Sequence, residues 1–203
     1  MTTTLNDIEK EIGLKLNGPI KWKDKISCKN EGIYIVVTPN NHPLNIDFDR
    51  EQIKLWISKV PKMMIDKQKP NYENITQELN KFWFDNEIIL YIGQTTKSNE
   101  DSTRSIEDRI REYYTSKIYK KSPNSGGYWL KTLAFLDECL IYWTKCNNPK
   151  KVEEHILTFF HHQFLKDKIT KENVHLPFAN LKVNLSEKPK EIRKQHILKK
   201  PRI

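Results

Sequence analysis

Gly32-Ile33-Tyr34-Ile35-Val36-Val37-Thr38 and Ile88-Ile89-Leu90-Tyr91-Ile92-Gly93 are the two stretches on which the fold turns. Both are dense in β-branched and aromatic residues, which favour strands because a branched Cβ packs well on a pleated surface. Turn formers bound them: Asn30 before the first, Pro39-Asn40-Asn41 after it, and Asp85-Asn86 before the second. Taken alone, either Gly-Ile-Tyr or Tyr-Ile-Gly fits an ordinary core strand. As two paired strands they would gather two phenols and two glycine backbones in one small area. A phenol can hand on a proton or hold a water, and a glycine admits a close neighbour.

Working outward, Ser105 to Tyr114 reads as a helix opened by a capping-box variant of Ser105 and Asp108. Arg109 and Tyr113 lie four residues apart and share one of its faces. Asn147-Asn148-Pro149 turns into a second helix, expected to run to about Lys166, that carries Glu153-Glu154-His155-Ile156-Leu157. Adjacent helical residues point about 100° apart, so only one of the two glutamates can face a common site. Glu153 shares its face with Ile156, Leu157 and Phe160, which favours it over Glu154. Pro177-Phe178-Ala179-Asn180 follows a charged stretch from 166 to 174.

In this order, from residue 32 to residue 180, these elements resemble the GIY-YIG nuclease family. Arg109, Ile110 and Tyr113 fit the family's helix after its second strand. Glu153, three residues before Ile156-Leu157, fits its later glutamate, and Pro177 with Asn180 fits the close of its core. The run Gly126-Gly127-Tyr128-Trp129-Leu130-Lys131-Thr132-Leu133 is similar to a bacterial subgroup with a long insertion between the signature strands. The resemblance implies a three-stranded antiparallel sheet flanked by helices, an α+β fold, and a Mg²⁺-dependent endonuclease acting on DNA, with Mn²⁺ as a substitute cation. It implies that Glu153 holds the metal, that Arg109 offsets charge on the phosphodiester, and that Tyr34 accepts the proton of the attacking water. Tyr91 and Tyr113 would orient water or phosphate, and Asn180 would position the scissile strand or a catalytic group through its amide. Gln94 stands where many members carry a lysine or a small residue. A lysine assisting the tyrosine must therefore come from elsewhere, with Lys97 and Lys131 as candidates that also reach DNA. A restriction-like or defence role ranks ahead of repair or mobile-element work. The rival class is a catalytically idle nucleic-acid-binding module with the same fold.

Composition agrees with a nucleic-acid partner. The chain has 203 residues, and 35 Lys+Arg against 26 Asp+Glu give a formal charge of +9, as suits contact with phosphate backbones. No stretch has the apolar length of a transmembrane helix. Cys28, Cys139 and Cys146 are odd in number and widely spaced, which points to reduced thiols in a cytoplasm and away from zinc. The three histidines 155, 161 and 162 read as polar-face or DNA-side residues. Residues 1–30 form an amphipathic helix over 5–16, stopped by Gly18-Pro19, and a basic lead-in. By the resemblance, residues 31–185 would form the nuclease domain, with a two-helix insertion at 49–84 packed on one edge of the sheet. Residues 128–136 read as helix, 140–144 as the third strand, and 186–203 as a basic tail. Arg111 on the first helix, with Arg193 and Lys194 in the tail, is expected to meet phosphates. Double-strand cleavage from one active site would require a dimer or two encounters.

Overall fold

The computed structural model describes residues 2–61, 63–96, 104–118, 126–186 and 190–195. The two signature stretches become β2 (Gly32–Val37) and β3 (Ile89–Thr95), paired antiparallel with Tyr34 opposite Gly93 and Val36 opposite Tyr91. β4 (Leu140–Lys145) pairs with the other side of β2, leaving all six β2 residues buried.

The sheet has four strands rather than three, in the order β1-β4-β2-β3. The added strand is β1 (Asn17–Lys21), laid along β4 across a cis Gly18–Pro19 bond and a register shift. A proline lacks the N–H that a central strand needs, but an edge strand can hold one where its N–H side faces away from the ladder. The helix before it is shorter than expected. α1 (Leu5–Ile12) stops at Gly13, whose φ of 66° is the left-handed conformation of a helix C-cap.

The sheet is covered on both faces. Ile33, Ile35 and Val37 share one core with Ile8 of α1 and with Ile156, Leu157 and Phe160 of α6 (Pro149–Phe164). Tyr34 and Val36 share the other with residues of α2 (Arg50–Lys59), α3 (Tyr72–Asn80) and α4 (Ile106–Thr115). The insertion therefore forms two helices, but it packs on a sheet face rather than an edge. Ile53, Trp56, Ile75 and Leu79 are its buried contributions. Its root is tied to residues 132–134, where Asp49 N–H donates to Thr132 O and Ala134 N–H to Asp47 O. That pairing explains why 128–136 is not one helix: α5 (Gly126–Leu130) stops, and Leu133 bridges to Phe48.

The start of the basic tail is folded. β5 (Lys182–Leu185) and β6 (Lys190–Arg193) form a hairpin, with Ile192 and Val183 buried against the α6 core. Residues 196–203 and Lys97 lie outside the described residues.

Candidate active site at the edge of β3

Helix α4 presents Ile106, Arg109, Ile110 and Tyr113 to the interior, an i, i+3, i+4, i+7 stripe with an arginine in it. Its capping box forms: Ser105 Oγ accepts from Asp108 N–H, and Asp108 accepts from Ser105 N–H. Arg109 is only 6% exposed. Its guanidinium lies 5.2 Å from the centre of the Tyr113 ring and donates to Glu112 at 2.8 Å. Glu112 also accepts from Arg104 Nε at 3.1 Å, so one carboxylate joins two arginines. Burial disfavours the charge on Arg109, but the surrounding hydroxyls and Glu112 outweigh that effect and keep it protonated.

Tyr113 is the middle of a chain of phenols. The Tyr34 hydroxyl donates to Tyr113 at 3.2 Å, and the Tyr113 hydroxyl donates to Tyr91 at 3.0 Å. Gly93 makes this possible, since a Cβ there would stand 2.4 Å from the end of the Tyr34 ring. Gly32 serves the sheet itself, because a Cβ there would lie 2.1 Å from Thr144 O of β4. Burial pushes the pKa of all three phenols well above the ordinary value, and Arg109 pulls in the opposite direction.

The outer edge of β3 opens on a cavity of about 220 Å³ lined by Tyr91, Gln94, Arg109, Glu153 and Asn180 among others. Tyr91, Arg109 and Glu153 thus meet although they come from β3, α4 and α6. Tyr34 and Tyr113 do not reach the cavity wall. They stand one layer behind it, linked to it through Tyr91. The expectation that Tyr34 takes a proton directly from water is corrected by this burial, since Tyr91 is the phenol at the cavity.

Glu153 is half-buried: protein surrounds it on most sides, and the cavity opens the remainder. Burial lifts its pKa to about 7, against the pull of Arg109, Lys182 and Lys150. Glu154 lines the same cavity, against the expectation that only one of the two glutamates can face it, but its carboxylate accepts from Ser186 N–H and Ser186 Oγ, both at 2.6 Å.

Asn180 acts through the backbone. Its Oδ1 accepts from Ile92 N–H at 2.8 Å and its Nδ2 donates to Ile92 O at 2.7 Å. Beside it, Ala179 N–H donates to Leu90 O. The amide imitates a neighbouring strand and seals the β3 edge, so it positions Tyr91 rather than contacting substrate.

Three expected surface contacts fall elsewhere. Lys194 is buried, donating to Pro177 O at 2.8 Å and Phe178 O at 3.1 Å, which anchors the segment holding Asn180. It cannot meet a phosphate. Lys131 donates to Tyr113 O and Ser116 O at 2.7 and 2.6 Å, satisfying the carbonyl end of α4. It faces a separate cavity of about 480 Å³, and burial lowers its pKa to about 8. His161 is fully buried: its Nδ1 accepts from His175 N–H and its Nε2 is 3.0 Å from Asp167 O. Arg111 and Arg193 are exposed, paired with Asp108 and Glu191.

Glu112, Lys150 and Lys182 belong to the site region but escaped the sequence reading. Glu112 stands one turn beyond Arg109 and Lys150 one turn before Glu153, spacings that put like-facing charges together. Lys182 follows Asn180 by two residues in a segment whose course no periodicity reveals. The chain matches no family model, no curated protein and no solved structure in the comparisons made.

The donor set suits a hard divalent cation. Glu153 is an oxygen ligand on a polar cavity, and 220 Å³ accommodates several waters at about 30 Å³ each. Mg²⁺ takes oxygen ligands and retains much of its hydration, so one carboxylate with waters is an adequate protein contribution. Among the described residues no group of three or more His, Cys, Asp or Glu side chains is placed to hold a metal ion, at this cavity or elsewhere.

Proposed function

We propose that the chain is a Mg²⁺-dependent endodeoxyribonuclease of the GIY-YIG type. The observation that carries this reading is the meeting of Tyr91, Arg109 and Glu153 on one polar cavity from three separate elements. A bound Mg²⁺ would supply Lewis-acid stabilisation of charge on the phosphate oxygens. Arg109 contributes fixed positive charge to the same oxygens, held by Glu112 at an angle it need not search for when substrate arrives. Glu153 must be ionised to hold the cation, and at neutral pH its ionisation is poised by burial. Tyr91 orients the attacking water, with its hydroxyl set by Tyr113 and, through it, Tyr34. Because burial keeps the phenols protonated, their role begins as orientation, and proton removal requires the charge of Arg109 and the cation together. Formal charge of +9 favours a polyanionic substrate.

Restriction or defence remains the preferred use of this activity, since the insertion and the basic C-terminal segment extend the surface available for DNA. The test is incubation of the purified full chain with supercoiled plasmid in Mg²⁺ or Mn²⁺, beside the same reaction in EDTA. Metal-dependent conversion to nicked or linear forms is expected. Tight DNA binding with intact phosphodiesters in both metals, on supercoiled, linear and branched DNA, would support the idle binding module instead.

A further inference from the structure

Gln94 is the second to last residue of β3, opposite Ile33 in register. Ile33 belongs to the core shared with α6, and side chains directly opposite on paired strands project to the same face. Gln94 is therefore on the α6 side of the sheet, and it lines the same cavity as Glu153. Its amide oxygen, Oε1, is buried and accepts no hydrogen bond. A buried acceptor without a partner costs about 1–3 kcal/mol, so native proteins seldom keep one without a use. The charged side chains of Lys150 and Lys182 are on the cavity wall, but neither donates to it.

We propose that Gln94 Oε1 is a second protein ligand for the divalent cation, joining Glu153 across the cavity; this rests on the reading of Glu153 as the metal's carboxylate. An amide oxygen is a hard neutral donor that suits Mg²⁺ or Mn²⁺. The pair supplies two oxygens from a strand end and a helix, with waters and phosphate filling the other positions. A neutral second ligand has a consequence for charge: it adds no further negative charge to a cavity already lined by Glu153 and Glu154, so the site stays receptive to a phosphate.

The experiment measures Mn²⁺ affinity without any cleavage readout. Free Mn²⁺ is followed by its electron paramagnetic resonance signal as the metal is titrated to millimolar levels into the full chain at pH 8, where Glu153 is ionised. Wild type is compared with Gln94→Leu, Gln94→Glu and Glu153→Gln, each checked for native thermal unfolding. Gln94→Leu should weaken binding about tenfold, the lower end of what losing a metal-site partner costs. Gln94→Glu should tighten it, because a carboxylate replaces a neutral oxygen on the ion. An amide that merely oriented Glu153 would give the opposite sign for Gln94→Glu, through repulsion between two carboxylates. Unchanged affinity in both Gln94 variants, with binding lost in Glu153→Gln, would overturn the assignment of Gln94 alone. Undiminished binding in Glu153→Gln, or no binding by wild type, would overturn the metal reading beneath it.

Discussion

The two edges of the sheet are built differently. β1 pairs only with β4, and four of its five residues are exposed. Pro19 and Lys21 mark it as an edge protected by a missing N–H and a charge, which discourage pairing with another chain. β3, at the far edge, has six of its seven residues buried. Its free backbone groups at Ile92 are taken by the Asn180 amide, and Leu90 O accepts from Ala179 N–H. One edge is defended by what it lacks, the other by a segment folded against it. The sealed edge is where a phenol, a guanidinium and a carboxylate are held together, because a site needs a wall that does not move.

Breaking that wall's chemistry at Arg109 should have a large effect, second only to the loss of Glu153. Arg109→Ala should lower the single-turnover cleavage rate by about a hundred- to a thousandfold, as removal of one preorganised charge contact does. Arg111, about 200° away around α4, should instead change DNA affinity and its salt dependence with little change in rate. Equal rate losses at both positions would mean that the buried stripe of α4 is not the catalytic face.

Next in size is the seal itself. Asn180→Ala removes two hydrogen bonds and leaves buried Ile92 groups unpaired, a loss of about 2–4 kcal/mol in urea unfolding. Lys21→Ala on β1 should shift stability by no more than about 0.5 kcal/mol. Similar midpoints for the two variants would erase the contrast between the edges.

A smaller effect is written in pH. Glu153 has its pKa raised from 4.5 to about 7 in the fold. The folded state then holds a proton that the unfolded state has released, so without metal Glu153 lowers stability as pH rises from about 4.5 through 7. The loss, complete above pH 7, is about 1–3 kcal/mol when allowance is made for the open cavity. Glu153→Gln should gain stability relative to wild type over that window, measured by thermal unfolding in EDTA. Parallel pH profiles for the two proteins would show that the carboxyl is not held in a costly place.

The sequence foretold different parts of the molecule unequally, for physical reasons. β2, β3 and β4 were legible because β-branched runs bounded by turn residues have few other uses. α4 and α6 were legible because their apolar period is 3.6 and their starts are marked, by a capping box in α4 and by Pro149 at the first position of α6. β1 was not, since Gly18-Pro19 reads as a break unless the neighbouring strand is known. β6 was hidden by charge: only Ile192 in Lys190–Arg193 is apolar, and its partner strand is itself short. At the site, Arg109 and Glu153 could be chosen by helical register. The setback of Tyr34 behind Tyr91 could not, because it depends on how β2, β3 and α4 pack their three phenols together. Asn180 was found as a position but not as a strand surrogate, since its partner is 88 residues away. Lys194 resembles every other lysine of a basic segment until the carbonyls of Pro177 and Phe178 are seen around it.

Glu153 and its neighbour Glu154 allow the sharpest test that catalysis resides at the β3 edge. Glu153→Gln and Glu154→Gln remove the same charge one residue apart, so global electrostatics and composition are matched. Single-turnover cleavage of one DNA duplex in Mg²⁺ should fall at least about a thousandfold in Glu153→Gln, a loss of several kcal/mol from a metal's charge contribution. Glu154→Gln, which changes a side chain on the same cavity wall whose oxygens are held by Ser186, should cleave at a rate close to wild type. Full activity in Glu153→Gln, or equal losses in the two variants, would contradict the account.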